Sequence, residues 1–265
     1  PSAIGNARSV KLQNQLGGGL GAILGAYLAS TNIATPWFVG GGIMFLLGIL
    51  SHLILNEEYF KRQKFCWRKG VAEMKSTTLK SIRYGSEDKS VRFILMVTFL
   101  QIYVVKSFDM YWQPFFREKG VAEEHLGILF AGMISFLALG SYAITRIEIK
   151  RRERKIILLS MILVGTMVML GTMSPLLPLS LGFFLLHEFG RGFWGPVTES
   201  YLHERIPSHE RATIVSFCGM APHIGGAIGL LLSGVLAESF GINTTWIISS
   251  LALLLAAILV RKNGH

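Results

Sequence analysis

The chain has 265 residues, of which 51% are hydrophobic and only 16% charged, with a formal net charge of +10 and a mean hydropathy of +0.48. A soluble domain carries about a quarter charged residues; here the charges bunch between long runs that hold almost none, which excludes an ordinary soluble fold. The basic residues flank apolar runs and form no nucleic-acid motif, and Cys66 and Cys218 offer neither a disulfide framework nor metal spacing.

A membrane span needs about 20 largely apolar residues, because roughly 30 Å of hydrocarbon is crossed at 1.5 Å per residue. Eight stretches qualify, at about 9–30, 37–55, 92–114, 123–145, 156–173, 178–201, 212–237 and 244–260. Backbone polar groups must be paired inside lipid, so these are helices and the fold class is all-α and polytopic. The chain opens Pro1-Ser2-Ala3 and meets its first apolar run within fifteen residues, so a secretory leader is not expected in this stretch. We read it as cut from something longer.

The loop at 56–91 separates two spans from six. It mixes Tyr59, Phe60, Phe65, Trp67, Met74, Leu79 and Ile82 with nine Lys and Arg, and Arg92 follows it. That pattern predicts amphipathic helices lying on a membrane face, with a docking site for a soluble partner as the other reading. The expected organisation is therefore 1–55, 56–91 as a linker, and 92–265. Of 26 Lys and Arg, twenty-two fall on one side of the predicted spans, Arg117 and Lys119 on the other, and Lys106 and Arg191 inside spans. Loops rich in Lys and Arg stay cytoplasmic, so both chain ends are expected in the cytoplasm.

Two segments match without gaps at an offset of 208 residues: Leu16 to Gly21 with Ile224 to Gly229, then Leu28-Ala29 with Leu236-Ala237. Gly17, Gly21 and Gly25 share one helix face, as do Gly225, Gly229, Ser233 and Ala237. Small residues at every fourth position let two helix backbones approach closely. Repeated bundles of spans are common in transporters.

These residues resemble the major facilitator superfamily, whose twelve spans form two six-helix halves around a central cavity. The stretches Glu188-Phe189-Gly190-Arg191-Gly192 and Glu204-Arg205-Ile206-Pro207 before Arg211-Ala212-Thr213 are similar to its tenth span and following loop. Gly234 to Gly241 resembles a degenerate copy of its gating motif, and Gly140 to Lys155 a worn one, with Thr145 in place of the acid. The resemblance implies spans five to twelve, with the first four helices of the same chain missing. Gly17, Gly21, Ala22, Gly25 and Ala26 keep the glycine spacing of the family's antiporter motif, although Ala22 replaces its Pro and Ala26 its last Gly. That likeness implies efflux antiport. Asn56-Glu57-Glu58 matches the sugar-porter motif poorly and disfavours that branch.

Charges inside spans are expensive and mark functional candidates. Lys106 and Asp109 lie three apart on one helix face, with Tyr103 and Gln113 roughly in line and Trp112 nearby; Glu188 and Arg191 are likewise three apart, beside His187 and Trp194. Either each couple is a neutralised pair holding helices together, or Asp109 or Glu188 exchanges a proton while Lys106 or Arg191 meets an anionic group. Glu199, Arg205 and Arg211 read as a cytoplasmic gate or as plain interfacial charges. Taken together, the expectation is a non-enzymatic secondary transporter of a small molecule in a prokaryotic inner membrane. The lipid bilayer and protons are its expected partners, and no cofactor, metal or nucleic acid is expected. Proton-coupled export leads; solute:proton symport and a receptor-like sensor are the alternatives.

Overall fold

A computed structural model describes residues 34–54, 87–206 and 211–262, with isolated positions before and between them; for residues 211–213, 221 and 262 it describes the backbone alone. Most of the predicted span at 9–30 and of the 56–91 linker, with its expected amphipathic helices, lies outside the described residues.

Among the described residues every regular element is a helix. In chain order these are α1 (Thr35–Ile54), α2 (Lys89–Glu118), α3 (Glu123–Thr145), α4 (Glu153–Met173), α5 (Leu177–Gly192), α6 (Trp194–Arg205), α7 (Arg211–Cys218) and α8 (Ala221–Lys262). The first residues of α2 are fixed by Asp88, whose carboxylate accepts the N–H groups of Ser90 at 2.8 Å and Val91 at 2.9 Å, leaving two fewer orphan donors at that helix end. Gly120 adopts φ 91° just beyond α2, a conformation that costs glycine nothing, and turns the chain into α3.

One predicted boundary differs. The span expected at 178–201 is two helices, α5 and α6, meeting at Phe193. Pro196 has no N–H to give the Gly192 carbonyl four residues back, and its ring crowds that carbonyl, so the helix breaks there. Gly241, at φ 80°, ψ 163°, divides α8 into two helices between the spans expected at 212–237 and 244–260, the first of which begins with α7. The apolar runs α1, α2, α3, α4 and the stretch Ile214–Arg261 are each long and apolar enough to cross a membrane.

Helices α2 to α8 pack together, whereas α1 buries none of its residues. Glycines set the closest approaches. A Cβ built on Gly229 would stand 2.7 Å from the Tyr103 carbonyl oxygen, and one on Gly225 2.9 Å from that of Phe99, so α8 lies directly on the α2 backbone. Nothing described lies within 4 Å of a Cβ built on Gly17, Gly21 or Gly25. Gly140 and Gly192 likewise bring the backbones of α3 and α5 into direct contact.

The apolar side chains form two clusters. One, near the Lys89 end of α2, gathers Val91, Ile94, Val97, Val104, Ile157, Met161 and Leu253 with their neighbours. The other, near its Glu118 end, is aromatic, with Phe108, Trp112, Phe115, Phe116, Phe184 and Trp246. Trp246 adds a polar tie between α8 and α2, its indole N–H donating to the Ser107 carbonyl at 3.3 Å.

Candidate functional site

Lys106 and Asp109 sit on α2 where Val104 of one cluster gives way to Phe108 of the other. One helical turn separates them, so the Lys106 ammonium meets the Asp109 carboxylate at 3.0 Å. On α5 the same spacing brings Arg191 Nη1 within 3.1 Å of Glu188 Oε1. The close α3–α5 and α4–α5 contacts hold α5 against its neighbours and carry its charged face to α2. There Arg191 Nη1 donates to Asp109 Oδ1 at 3.0 Å, and Nη2 approaches Oδ2 at 3.5 Å.

The two predicted couples are thus a single cluster. Side-chain exposure rises along it, from 4% at Glu188 through 26% at Arg191 and 30% at Asp109 to 42% at Lys106, so it runs from the interior outward. In ionised form its four charges cancel, which is the least costly way to hold charge away from water. Arg191 is the common partner of both carboxylates. Its planar fork suits it to bind two acceptors at once, a geometry that a lysine does not reproduce.

At the inner end His187 is fully buried, with its ring 4.6 Å from that of Phe108 and its Nδ1 3.7 Å from Glu188 Oε1. Glu188 Oε2 is buried without a hydrogen-bond partner among the described residues. Among those residues no three His, Cys, Asp or Glu side chains converge as a metal site would require.

Among the described contacts, none of the other residues predicted around Lys106 and Asp109 hydrogen-bonds to the cluster. Trp112 is buried and stacks on Phe130 at 5.7 Å, within the aromatic cluster. Tyr103 is half-buried with its backbone beneath Gly229, and Gln113 is exposed. Sequence reasoning passed over Gln101, which is 1% exposed and lines a cavity of about 170 Å³ with Val105, Leu137, Ser141, Arg191 and Trp194. The available signal was a neutral polar side chain in an otherwise apolar run two turns from Asp109.

A second set of charges closes the Lys89 end of the bundle. Glu153 is fully buried; it accepts the Arg151 N–H at 3.0 Å and lies 3.6 Å from Arg205. Arg205 also caps α6 through the Tyr201 carbonyl and stacks over the Tyr201 ring at 3.8 Å. Arg154 stacks over Phe93 at 4.9 Å and reaches the Val260 carbonyl at 3.1 Å. Of the predicted gate residues, Arg205 is in this set; Glu199 lies on α6, and the Arg211 side chain is outside the described residues.

The family model described as Major Facilitator Superfamily matches residues 91–263. An uncharacterized MFS-type transporter of Bacillus subtilis, YxaM, is 25% identical over 245 residues, covering 91% of this chain and 60% of that protein. The multidrug efflux pump Tap of Mycolicibacterium fortuitum is 30% identical over 121 residues, covering 46% of this chain and 29% of Tap. The chain thus spans less than two thirds of the length of either relative. No solved structure matches it.

Proposed function

The chain belongs to the Major Facilitator Superfamily of membrane transporters, and on that premise we propose that it exports a small amphipathic molecule in exchange for protons by alternating access. The observation that carries this reading is the sharing of Arg191 between Asp109 and Glu188 across the contact of α2 and α5. Tap is named a multidrug efflux pump, which supports export as the direction.

The proposed cycle uses the competition for one guanidinium. While Asp109 is ionised it holds Arg191 and so holds α5 to α2. A proton on Asp109 removes the negative partner, Arg191 turns wholly to Glu188, and the link between the two helices weakens. Asp109 is the more exposed carboxylate of the pair, at 30% against 4% for Glu188, so it is assigned the exchange; Glu188 keeps Arg191 charged and placed. Lys106 competes for Asp109 and limits how long the proton stays. Glu153 and Arg205, with Glu199, are assigned to the cytoplasmic closure, which puts both chain ends in the cytoplasm of a bacterial cell. The part of the Bacillus relative outside the match is read as further helices of the same carrier, opposite this bundle and across the lipid-embedded cavity.

Reconstituted vesicles containing the complete protein test the reading. Export driven by an imposed proton gradient is expected, with counterflow when the gradient is absent. Counterflow insensitive to the gradient would reduce the protein to a facilitator. Binding without counterflow would make it a sensor, and uptake along with protons would make it a symporter.

A further inference from the structure

The contact of α4 with α8 continues to the basic end of both helices. A Cβ built on Gly165 would stand 3.0 Å from Leu254 Cγ, and further along Arg154 donates to the Val260 carbonyl at 3.1 Å. The number rises on one helix as it falls on the other, so the two are antiparallel. The next residue after each member of the second contact is an exposed cation, Lys155 on α4 and Arg261 on α8. Neither has an ion-pair or hydrogen-bond partner among the described residues.

Both cations stand at the end of an apolar strip. On α4, Leu159 and Ile162 follow Lys155 along one helix face; on α8, Leu255 and Ile258 lead up to Arg261. All four apolar side chains are between 43% and 60% exposed. Lys155 follows Arg154, and Leu255 follows Leu254, by the same step of about 100° away from the contact. In an antiparallel pair that step leads to the same side of both helices, so the two faces form one strip.

Apolar side chains along its length and cations at its end are complementary to a phospholipid, and charge decides which kind. Lys150, Arg151 and Arg152 are exposed beside the site, against Glu148 as the exposed acid of that turn. Glu153 is buried and engaged by the Arg151 N–H and Arg205. Cations in the first turn of α4 also oppose the helix dipole, a cost that a neighbouring anion reverses. A zwitterionic head group would add its own ammonium to this crowd, whereas an anionic one adds only its phosphate.

We propose that the Lys155–Arg261 end of this strip is a head-group site for one anionic phospholipid of the adjoining leaflet. The phosphate lies between the two cations, and the acyl chains run along Leu159, Ile162, Leu255 and Ile258. The site requires that these helices lie in a membrane, and it is independent of the direction and coupling of transport.

The test titrates the complete protein, in an uncharged detergent, with dioleoyl phosphatidylglycerol, dioleoyl phosphatidylcholine or inorganic phosphate, and counts bound lipid by native mass spectrometry. One phosphatidylglycerol is expected to bind saturably, at least about tenfold more tightly than phosphatidylcholine, since each basic residue near an anionic lipid is worth roughly fivefold. Lys155→Gln combined with Arg261→Gln should cost at least about tenfold in phosphatidylglycerol affinity. Lys150→Gln combined with Arg151→Gln removes the same charge from the same end but away from the contact. It should cost less than about threefold, because attraction outside the site is screened by salt. Equal losses in the two double variants mean diffuse surface attraction only and overturn the inference. Displacement of the lipid by millimolar phosphate means a soluble-anion site and overturns the lipid assignment. All four substituted side chains are exposed, so the variants are expected to fold; equal binding of the two lipids by the unaltered protein overturns the inference without them.

Discussion

Arg191 and Asp109, 82 residues apart in the chain, face each other through two guanidinium-to-carboxylate contacts at 3.0 and 3.5 Å. They form a polar link between α2 and α5 where the two apolar clusters meet, and the consequences of cutting that link are measurable.

Asp109→Asn preserves the size of the side chain and removes its charge. The expected result is loss of proton-driven export in vesicles containing the complete protein, with counterflow retained. Coupling that survives the substitution would remove Asp109 from the proton path.

Arg191→Leu leaves Glu188, only 4% exposed, without its cation. Orphaning a buried partner costs on the order of 3 kcal/mol, so a clear fall in unfolding temperature is expected in detergent. Adding Glu188→Gln should recover part of the loss, because the orphaned charge is then gone. A double-mutant cycle should show coupling of about 1 kcal/mol or more; strict additivity would mean that the two groups do not interact.

Glycine substitutions should have opposite signs at two positions. Gly229→Ala places a methyl 2.7 Å from the Tyr103 carbonyl oxygen, and overpacking of this kind costs about 1–3 kcal/mol. Gly41→Ala, in α1 with nothing among the described residues within 4 Å, should be neutral or stabilising by about 0.5–1 kcal/mol. Thermal unfolding of the two variants side by side is the check, and equal effects would contradict the close contact of α8 with α2.

Glu153→Gln keeps an oxygen for the Arg151 N–H, whereas Glu153→Ala keeps none. Both lose the ion pair with Arg205. The alanine variant should be the less stable by about 1–3 kcal/mol, measured by chemical or thermal unfolding. An identical midpoint for the two would show that the backbone bond contributes nothing.

Hydropathy located the spans because lipid leaves so few alternatives: α3 begins and ends where the apolar run does, at 123 and 145. Helix ends were less legible. Lys89 and Arg92 at one end of α2 and Arg117 at the other cut the apolar run short at 92–114, while the helix continues to both sides, since a helix may extend beyond hydrocarbon and carry charge there. The break at Phe193 follows from Pro196 and was hidden by the hydropathy of the flanking residues.

Spacing along one helix made Lys106 with Asp109, and Glu188 with Arg191, visible as couples. Their merger depends on how α5 packs against α2, which local periodicity does not contain. The same limit passed over Gln101, which is 1% exposed beside a cavity.

The cancellation of charge between Lys106, Arg191, Asp109 and Glu188 has an electrical consequence. A transmembrane potential acts with about 2.3 kcal/mol per elementary charge for every 100 mV, and four ionised groups summing to zero feel almost none of it when they move as a body. Rocking of α2 together with α5 is then voltage-silent. In the proposed cycle a single proton on Asp109 gives the group a charge of +1, so the membrane field acts on the protonated form and not on the other.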